Sequence, residues 1–289
     1  MFHRKRFRLK FPSRTVVLGE RTLVMGVLNV TPDSFSDGGK FLSLADAVEG
    51  ALAMQRAGAD ILDIGAESTR PGSRGISAAE ELARLLPVVR ALRGRLKIPI
   101  SIDTQKASVA EIVLRAGAEM LNDISGLNSD PRLGEVAARS GVPLVLMHMR
   151  GNPHTMQRLP FAKDVVQDVV AGLRRSVAKA RRAGVRKSQI VLDPGIGFGK
   201  SFPQNYELLA ELPALARLGY PLVVGTSRKG FLGATLVRDG KPVPSGERIW
   251  GTAATVAGSI LNGAHIVRVH EVAEMAQVAR VSDALVSAG

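Results

Sequence analysis

Along the chain, short apolar runs rich in Val, Ile and Leu alternate with longer stretches whose apolar residues recur at helical spacing. The short runs are Leu23–Val30, Asp60–Gly65, Ile98–Asp103, Met120–Ser125, Pro143–Met149, Ile190–Gly195, Pro221–Ser227 and His265–His270. They read as strands buried on both faces, as a parallel sheet requires. Stretches such as Leu44–Ala57, Ala78–Arg93, Ala107–Ala116, Asp164–Ala183 and Arg248–Asn262 read as amphipathic helices. Gly58, Gly117, Gly141, Gly184, Gly219 and Gly263 stand just before the next strand, where a left-handed helix cap belongs. Eight such alternations predict an α/β chain folded as one closed (β/α)8 TIM barrel. An open doubly wound sheet would carry a glycine-rich turn after its first strand. Here that strand runs into Asn29-Val30-Thr31-Pro32-Asp33, so the barrel is the better reading.

Barrel chemistry sits at the C-terminal ends of strands. Those ends carry Asn29, Asp63, Asp103, Asn122 with Asp123, His148, Asp193, Lys229, and Arg268 with His270. One or two would be helix caps; a polar group at every end points to a site. Two long loops, Asp33–Gly39 and Ala66–Gly75, follow the first two strands and read as lids. Pro194–Lys200, PGIGFGK, tempts a phosphate-loop assignment. It has Pro194 where a Walker motif needs Gly, and Lys200 where the dinucleotide pattern needs its third Gly. Arg268 and His270, two apart on one strand, share a face and suit an anion. With Asn29 beside them they make a compact site for a diphosphate with Mg²⁺, a metal held mainly by substrate oxygens. Asp103, Asn122, Asp193 and Lys229 mix donors and acceptors, as a flat heterocycle with ring N–H and amide edges would require. Met147 is placed to pack on its face, or simply to fill core.

These residues lie in segments that closely resemble the dihydropteroate synthase family of pterin-binding barrels. The segments are MGVLNVTPDSFSDGG (25–39), GADILDIGAESTRPG (58–72), ISIDTQK (100–106), LNDISG (121–126), LVLMHMRGNPHTMQ (144–157), VLDPGIGFGK (191–200), VGTSRKGFLG (224–233), ERIWGTAA (247–254) and IVRVHEV (266–272). They run in order through all but the first twenty or so residues. The resemblance implies a transferase of folate biosynthesis and sulfonamide target. It would condense 6-hydroxymethyl-7,8-dihydropterin diphosphate with 4-aminobenzoate to 7,8-dihydropteroate, releasing diphosphate. It implies that Asn29 orders the Mg²⁺–diphosphate with Arg268 and His270. Asp103, Asn122, Asp193 and Lys229 would hold the pterin, with Asp63 nearby and Met147 at its face. Thr69, Arg70, Pro71, Phe35 and Phe198 would form the aminobenzoate pocket. On this reading Asp103, Lys229, Arg268 and His270 carry the catalysis. Charge develops as diphosphate departs, Asp103 facing the pterin cation and Arg268 and His270 the anion. Two positions depart from the family. Ala66 stands where Gly is usual, and Gly230 where Ser or Arg commonly helps hold the benzoate carboxylate.

Two rival readings share the barrel. Methyltransferases that pass a folate methyl group to cobalamin proteins lack a diphosphate subsite, whereas Arg268, His270, Ser68–Gly72 and the Asn29 loop are intact here. Non-catalytic paralogues that only bind pterin typically lose the second-loop Thr-Arg or the Asp-Pro-Gly; this chain keeps both. Composition narrows the classes further. Cysteine is absent among the 289 residues, which excludes disulfides, a thiolate nucleophile and Cys-ligated metal. No apolar stretch is long enough to span a bilayer, and no h-region follows the basic start, so a cytoplasmic setting is expected. The formal charge of +13 raises nucleic acid as a partner, but aromatics make up only 4% and offer little for bases to stack on. No nucleic acid or membrane partner is expected, only the small-molecule substrates and, from the resemblance, a second copy in a homodimer. Residues 1–20, with Arg4, Lys5, Arg6, Arg8 and Lys10, read as a basic solvated extension, and 21–289 as the barrel. Arg174, Arg175, Lys179, Arg181 and Arg182 read as a solvated helix face.

Overall fold

The structure, a computed structural model, describes residues 4–31, 43–69, 72–73, 75–156 and 161–288. It opens with a hairpin, β1 (Phe7–Lys10) and β2 (Thr15–Leu18). The barrel strands are β3 (Leu23–Asn29), β4 (Ile61–Gly65), β5 (Ile100–Asp103), β6 (Met120–Asp123), β7 (Leu144–Met147), β8 (Ile190–Asp193), β9 (Val223–Val224) and β10 (Ile266–Val269). They pair in parallel in the order β8-β7-β6-β5-β4-β3-β10-β9. A single bridge between Leu192 and Leu222 closes the ring. Each apolar run read from the sequence contains one of these strands. Helices cover the outside: α1 (Leu44–Arg56), α2 (Ala78–Leu92), α3 (Ala107–Ala116), α4 (Arg132–Ser140) and α5 (Val165–Arg182) come first. Then follow α6 (Phe202–Ala210), α7 (Leu212–Ala216), α8 (Gly230–Thr235), α9 (Ile249–Leu261) and α10 (Val272–Ala288).

Local chemistry sets the boundaries. Ser43 with Asp46, and Ser77 with Glu80, form capping boxes that satisfy the first N–H groups of α1 and α2. All six glycines expected at helix ends have positive φ, Gly141 being left-handed at +69°. No helix among the described residues is long and apolar enough to cross a membrane.

The basic start of the chain is not a solvated arm. Leu9, Phe11 and Leu18 are all but inaccessible and pack against Leu23, Met25, Ile61, Met120, Val145, Val191, Val223 and Ile266. The hairpin is therefore a plug in the N-terminal end of the barrel. Alternation explains it: Arg6, Arg8 and Lys10 face solvent while Leu9 and Phe11 face the core. Arg4 is itself buried, donating to Thr22 Oγ1 at 2.6 Å, the Ala264 carbonyl at 3.2 Å and Asp283 Oδ1 at 2.5 Å.

Candidate active site

Parallel pairing brings the polar strand ends level with one another. Gly65 lies beside Asp103, Asp103 beside Asn122, and Met147 beside Asp193. Deepest is Asp63, fully buried, whose Oδ2 accepts from Asn122 Nδ2 at 3.0 Å and from Arg268 Nε at 2.7 Å. Arg268 reaches across from β10 and also donates to Asp103 Oδ2 at 3.1 Å. One guanidinium thus pairs with two carboxylates of the floor, its planar fork presenting a separate N–H group to each.

The electrostatics follow from burial. Asp103 is pushed up to about 7, chiefly by desolvation and further by the neighbouring Asp63, against the pull of Arg268. Lys229 is brought down to about 8 by burial and by Arg268, while Asp193 and Asp103 resist the shift. Its ammonium sits 4.1 Å from the centre of the Phe198 ring, a cation–π contact in a dry wall. Burial also raises Asp193, opposed by a 2.6 Å bond from the Gly195 N–H to its Oδ1 and by Lys229.

Asn29, Thr69, Asp103, Asn122, Met147, Asp193, Phe198, Lys229, Arg268 and His270 all line one cavity of about 550 Å³. That volume is in the range that encloses a small ligand. Asp63 lies beneath the lining and acts through Asn122 and Arg268. Met147 stands in an apolar wall with Ile124, Met156 and Phe198. Phe35, Arg70 and Pro71 lie outside the described residues. Among the described residues no cluster of three or more His, Asp or Glu could cage a metal ion.

Besides Asp63, two polar strand ends do not join the lining. Asp123 accepts from the Ser125 N–H and hydroxyl and from the Leu127 N–H, so it caps a turn. His148 is buried and brought down to about 3, chiefly by desolvation, with Asp168 3.5 Å from its Nε2. It is therefore a neutral core residue.

The family model for pterin-binding enzymes matches residues 25–270, the whole stretch from the first barrel strand to His270. This chain belongs to the pterin-binding enzyme family. A dihydropteroate synthase of Synechocystis is 53% identical over 267 residues, covering 92% of this chain and 91% of that one. That of Escherichia coli is 46% identical, with 92% of each chain covered. The Yersinia pestis dihydropteroate synthase solved with a sulfonamide drug superposes with a TM-score of 0.91 at 42% identity, covering 98% of this chain and all of that one.

Within this pterin-binding barrel, several lining residues carry no signal in the strand-end pattern. Ser227, Arg228 and Arg248 form the rim beside Gly230 and His270. Ser227 Oγ lies 2.8 Å from His270 Nδ1 and donates to Glu271 Oε2 at 3.0 Å, while Arg228 Nε donates to Glu271 Oε1 at 2.5 Å. With its own proton donated to Glu271, Ser227 Oγ is left to accept, so His270 Nδ1 is the donor toward it. Lys106, at the start of α3, bonds Glu67 and, at 2.5 Å, the buried Glu81 of α2, anchoring the root of the second loop. Ala66, the family departure in that loop, is fully buried, and its carbonyl accepts from Arg84 Nη1 at 2.9 Å.

Proposed function

We propose that this chain joins 6-hydroxymethyl-7,8-dihydropterin diphosphate to 4-aminobenzoate, giving 7,8-dihydropteroate and diphosphate. The observation that carries the reading is one cavity with two chemistries. A buried floor of Asp63, Asp103, Asn122, Asp193 and Lys229 opens onto a cationic rim of Arg228, Arg248 and Arg268 with His270. The floor suits a neutral heterocycle rich in donors and acceptors, held by groups that could not all stay charged and unpaired. Met147 and Phe198 supply the flat apolar contacts. Asp193 keeps one oxygen for the ligand, its Oδ1 being taken by Gly195.

In the reaction the arylamine nitrogen bonds the pterin methylene carbon, the carbon–oxygen bond to diphosphate breaks, and the amine gives up one proton. Arg268 lies between the two developing charges. It holds Asp103 toward the pterin side and adds positive charge on the diphosphate side, where His270 joins it. The arylamine is neutral at pH 7 and needs no strong base to free its lone pair. Arg228 and Arg248, beside Gly230, offer the benzoate carboxylate the charge that Gly230 lacks.

A Mg²⁺ ion fits the donor set. Asn29 offers a hard amide oxygen at the cavity wall, and an ion coordinated mostly by phosphate oxygens and water needs no carboxylate cage. When bound it would supply positive charge to the leaving diphosphate. We also propose a cytoplasmic homodimer, supported by the exposed apolar side chains Trp250 on α9 and Val281 and Leu285 on the adjoining α10.

The test is to incubate the protein with pterin diphosphate, 4-aminobenzoate and Mg²⁺ and to follow dihydropteroate and diphosphate. Equal amounts of both, dependent on all three additions, are expected. Pterin binding without any turnover would overturn the reading in favour of a paralogue that only binds.

A further inference from the structure

Lys200 closes the glycine-rich segment after β8, and neither the Walker nor the dinucleotide pattern accounts for it. It is 6% exposed, and burial brings it down to about 7 against the pull of Asp193 and Asp168, while donation to three carbonyls at once requires the ammonium form. All three of its N–H groups are used on backbone carbonyls: His148 O at 2.9 Å, Pro194 O at 2.9 Å and Gly195 O at 2.8 Å. No donor remains for a ligand, so any effect of Lys200 on the cavity it borders passes through its neighbours. The three carbonyls belong to two different strand ends, β7 and β8. The segments touch so closely that a Cβ on Gly195, whose φ is +67°, would stand 1.9 Å from the His148 oxygen. A side chain is excluded there, and the carbonyls at the seam depend on the ammonium.

What the clamp holds is the pterin floor. Gly195, bonded through its carbonyl to Lys200, donates its own N–H to Asp193 Oδ1 at 2.6 Å. The charged groups facing Lys200 are Asp193 of β8, Asp168 of α5, Lys229 after β9 and Arg150 after β7. Arg150 itself is paired to Asp168 at 3.1 Å. We propose that Lys200 is a positioning residue for the pterin site: it locks the backbone that orients Asp193 and keeps a positive charge behind that carboxylate. Burial works against ionisation of Asp193, and a cation at its back offsets part of that cost. An Asp193 that took up a proton would present a donor where the pterin edge also donates.

The inference rests on the pterin-diphosphate reading for its consequence, though not for its mechanism. Two variants test it. Lys200→Met removes both charge and bonds, and Lys200→Gln keeps amide donors without charge, so one of them serves if the other fails to fold. The Asp193 carboxyl carbon is followed by ¹³C NMR in the free protein and assigned by its loss in Asp193→Asn. Its titration is expected to move to higher pH in both variants. Pterin-diphosphate affinity, by calorimetry, is expected to fall about tenfold or more at neutral pH, with less loss at higher pH where Asp193 is again ionised. An unmoved Asp193 titration overturns the proposal, even if affinity falls, because Lys200 would then act on packing alone. So does an affinity within twofold of wild type. If the wild-type protein fails to bind pterin diphosphate, the functional reading fails, while the Asp193 titration still decides the role of Lys200.

Discussion

The two ends of the barrel are built from the same strands and opposite materials. At the N-terminal end, Leu9, Phe11 and Leu18 of the hairpin meet Met25, Ile61, Met120, Val145 and Val191 in a dry apolar plug. At the other end the same strands finish in Asp63, Asp103, Asn122 and Asp193, faced by Lys229 and Arg268. Burial of apolar surface contributes roughly 1.5–3 kcal/mol for each large side chain, so the plug end stabilises. Buried charge costs several kcal/mol per ion before its partners offset it, so the open end consumes stability. One fold can hold a strained polar floor because its opposite end is apolar and closed.

Removing Arg268 tests that division most severely. Arg268→Met should lower kcat/KM about a thousandfold, as loss of a group facing developing charge does. It should also destabilise the free protein by about 3–5 kcal/mol at pH 7, because Asp63 and Asp103 lose their shared partner. Steady-state kinetics and urea unfolding separate the two effects. The stability loss should shrink at pH 5, where Asp103, pushed up to about 7, is protonated. An unchanged unfolding midpoint at pH 7 would show that the floor does not depend on its cation.

Phe11→Ala makes the opposite cut. Truncating a fully buried aromatic should cost about 3–5 kcal/mol in unfolding free energy. Below the unfolding transition kcat/KM should stay within twofold of wild type. A large kinetic defect in the folded variant would mean that the two ends are coupled.

Asp103→Asn sharpens the comparison through pH. Burial raises the folded-state pKa of Asp103 above its unfolded value, so the folded protein binds more protons between about pH 4 and 7. Its contribution to stability therefore declines as pH rises through that window and levels off above it. The Asn variant, neutral throughout, should gain on wild type by at least about 1 kcal/mol between pH 4 and 7, read from unfolding at a series of pH values. Parallel curves would place the cost of the floor elsewhere. The smallest effect is expected at neither end: Arg174→Gln, on the exposed face of α5, should change stability by less than about 0.5 kcal/mol in thermal unfolding.

The open end was the more legible in the sequence. Strands buried on both faces are continuous apolar runs, and a polar residue ending such a run is conspicuous, which is how Asp63, Asp103, Asn122, Asp193 and Arg268 stood out. Asp123 and His148 carry the same mark and serve the fold, because position at a strand end does not say which way a side chain turns. The plug was hidden since every second residue of Arg6–Phe11 faces water and the basic charges mask Leu9 and Phe11. Lys200 registered only as a break in a dinucleotide pattern and as the last residue of the VLDPGIGFGK segment. Its three partners are backbone carbonyls, which leave no trace in side-chain identities.

The buried Arg4 has a consequence for how the chain is made. Its carboxylate partner, Asp283, lies 279 residues further on, in the last helix. A ribosome delivers the arginine 279 residues before its counter-charge. Until α10 has emerged, seating the hairpin would bury a guanidinium without its anion, a state dearer than leaving the segment in water. The plug should therefore dock only once α10 has emerged. A nascent chain arrested before α10 should expose Phe11 and Leu9 to chaperones and proteases, however complete its first strands already are.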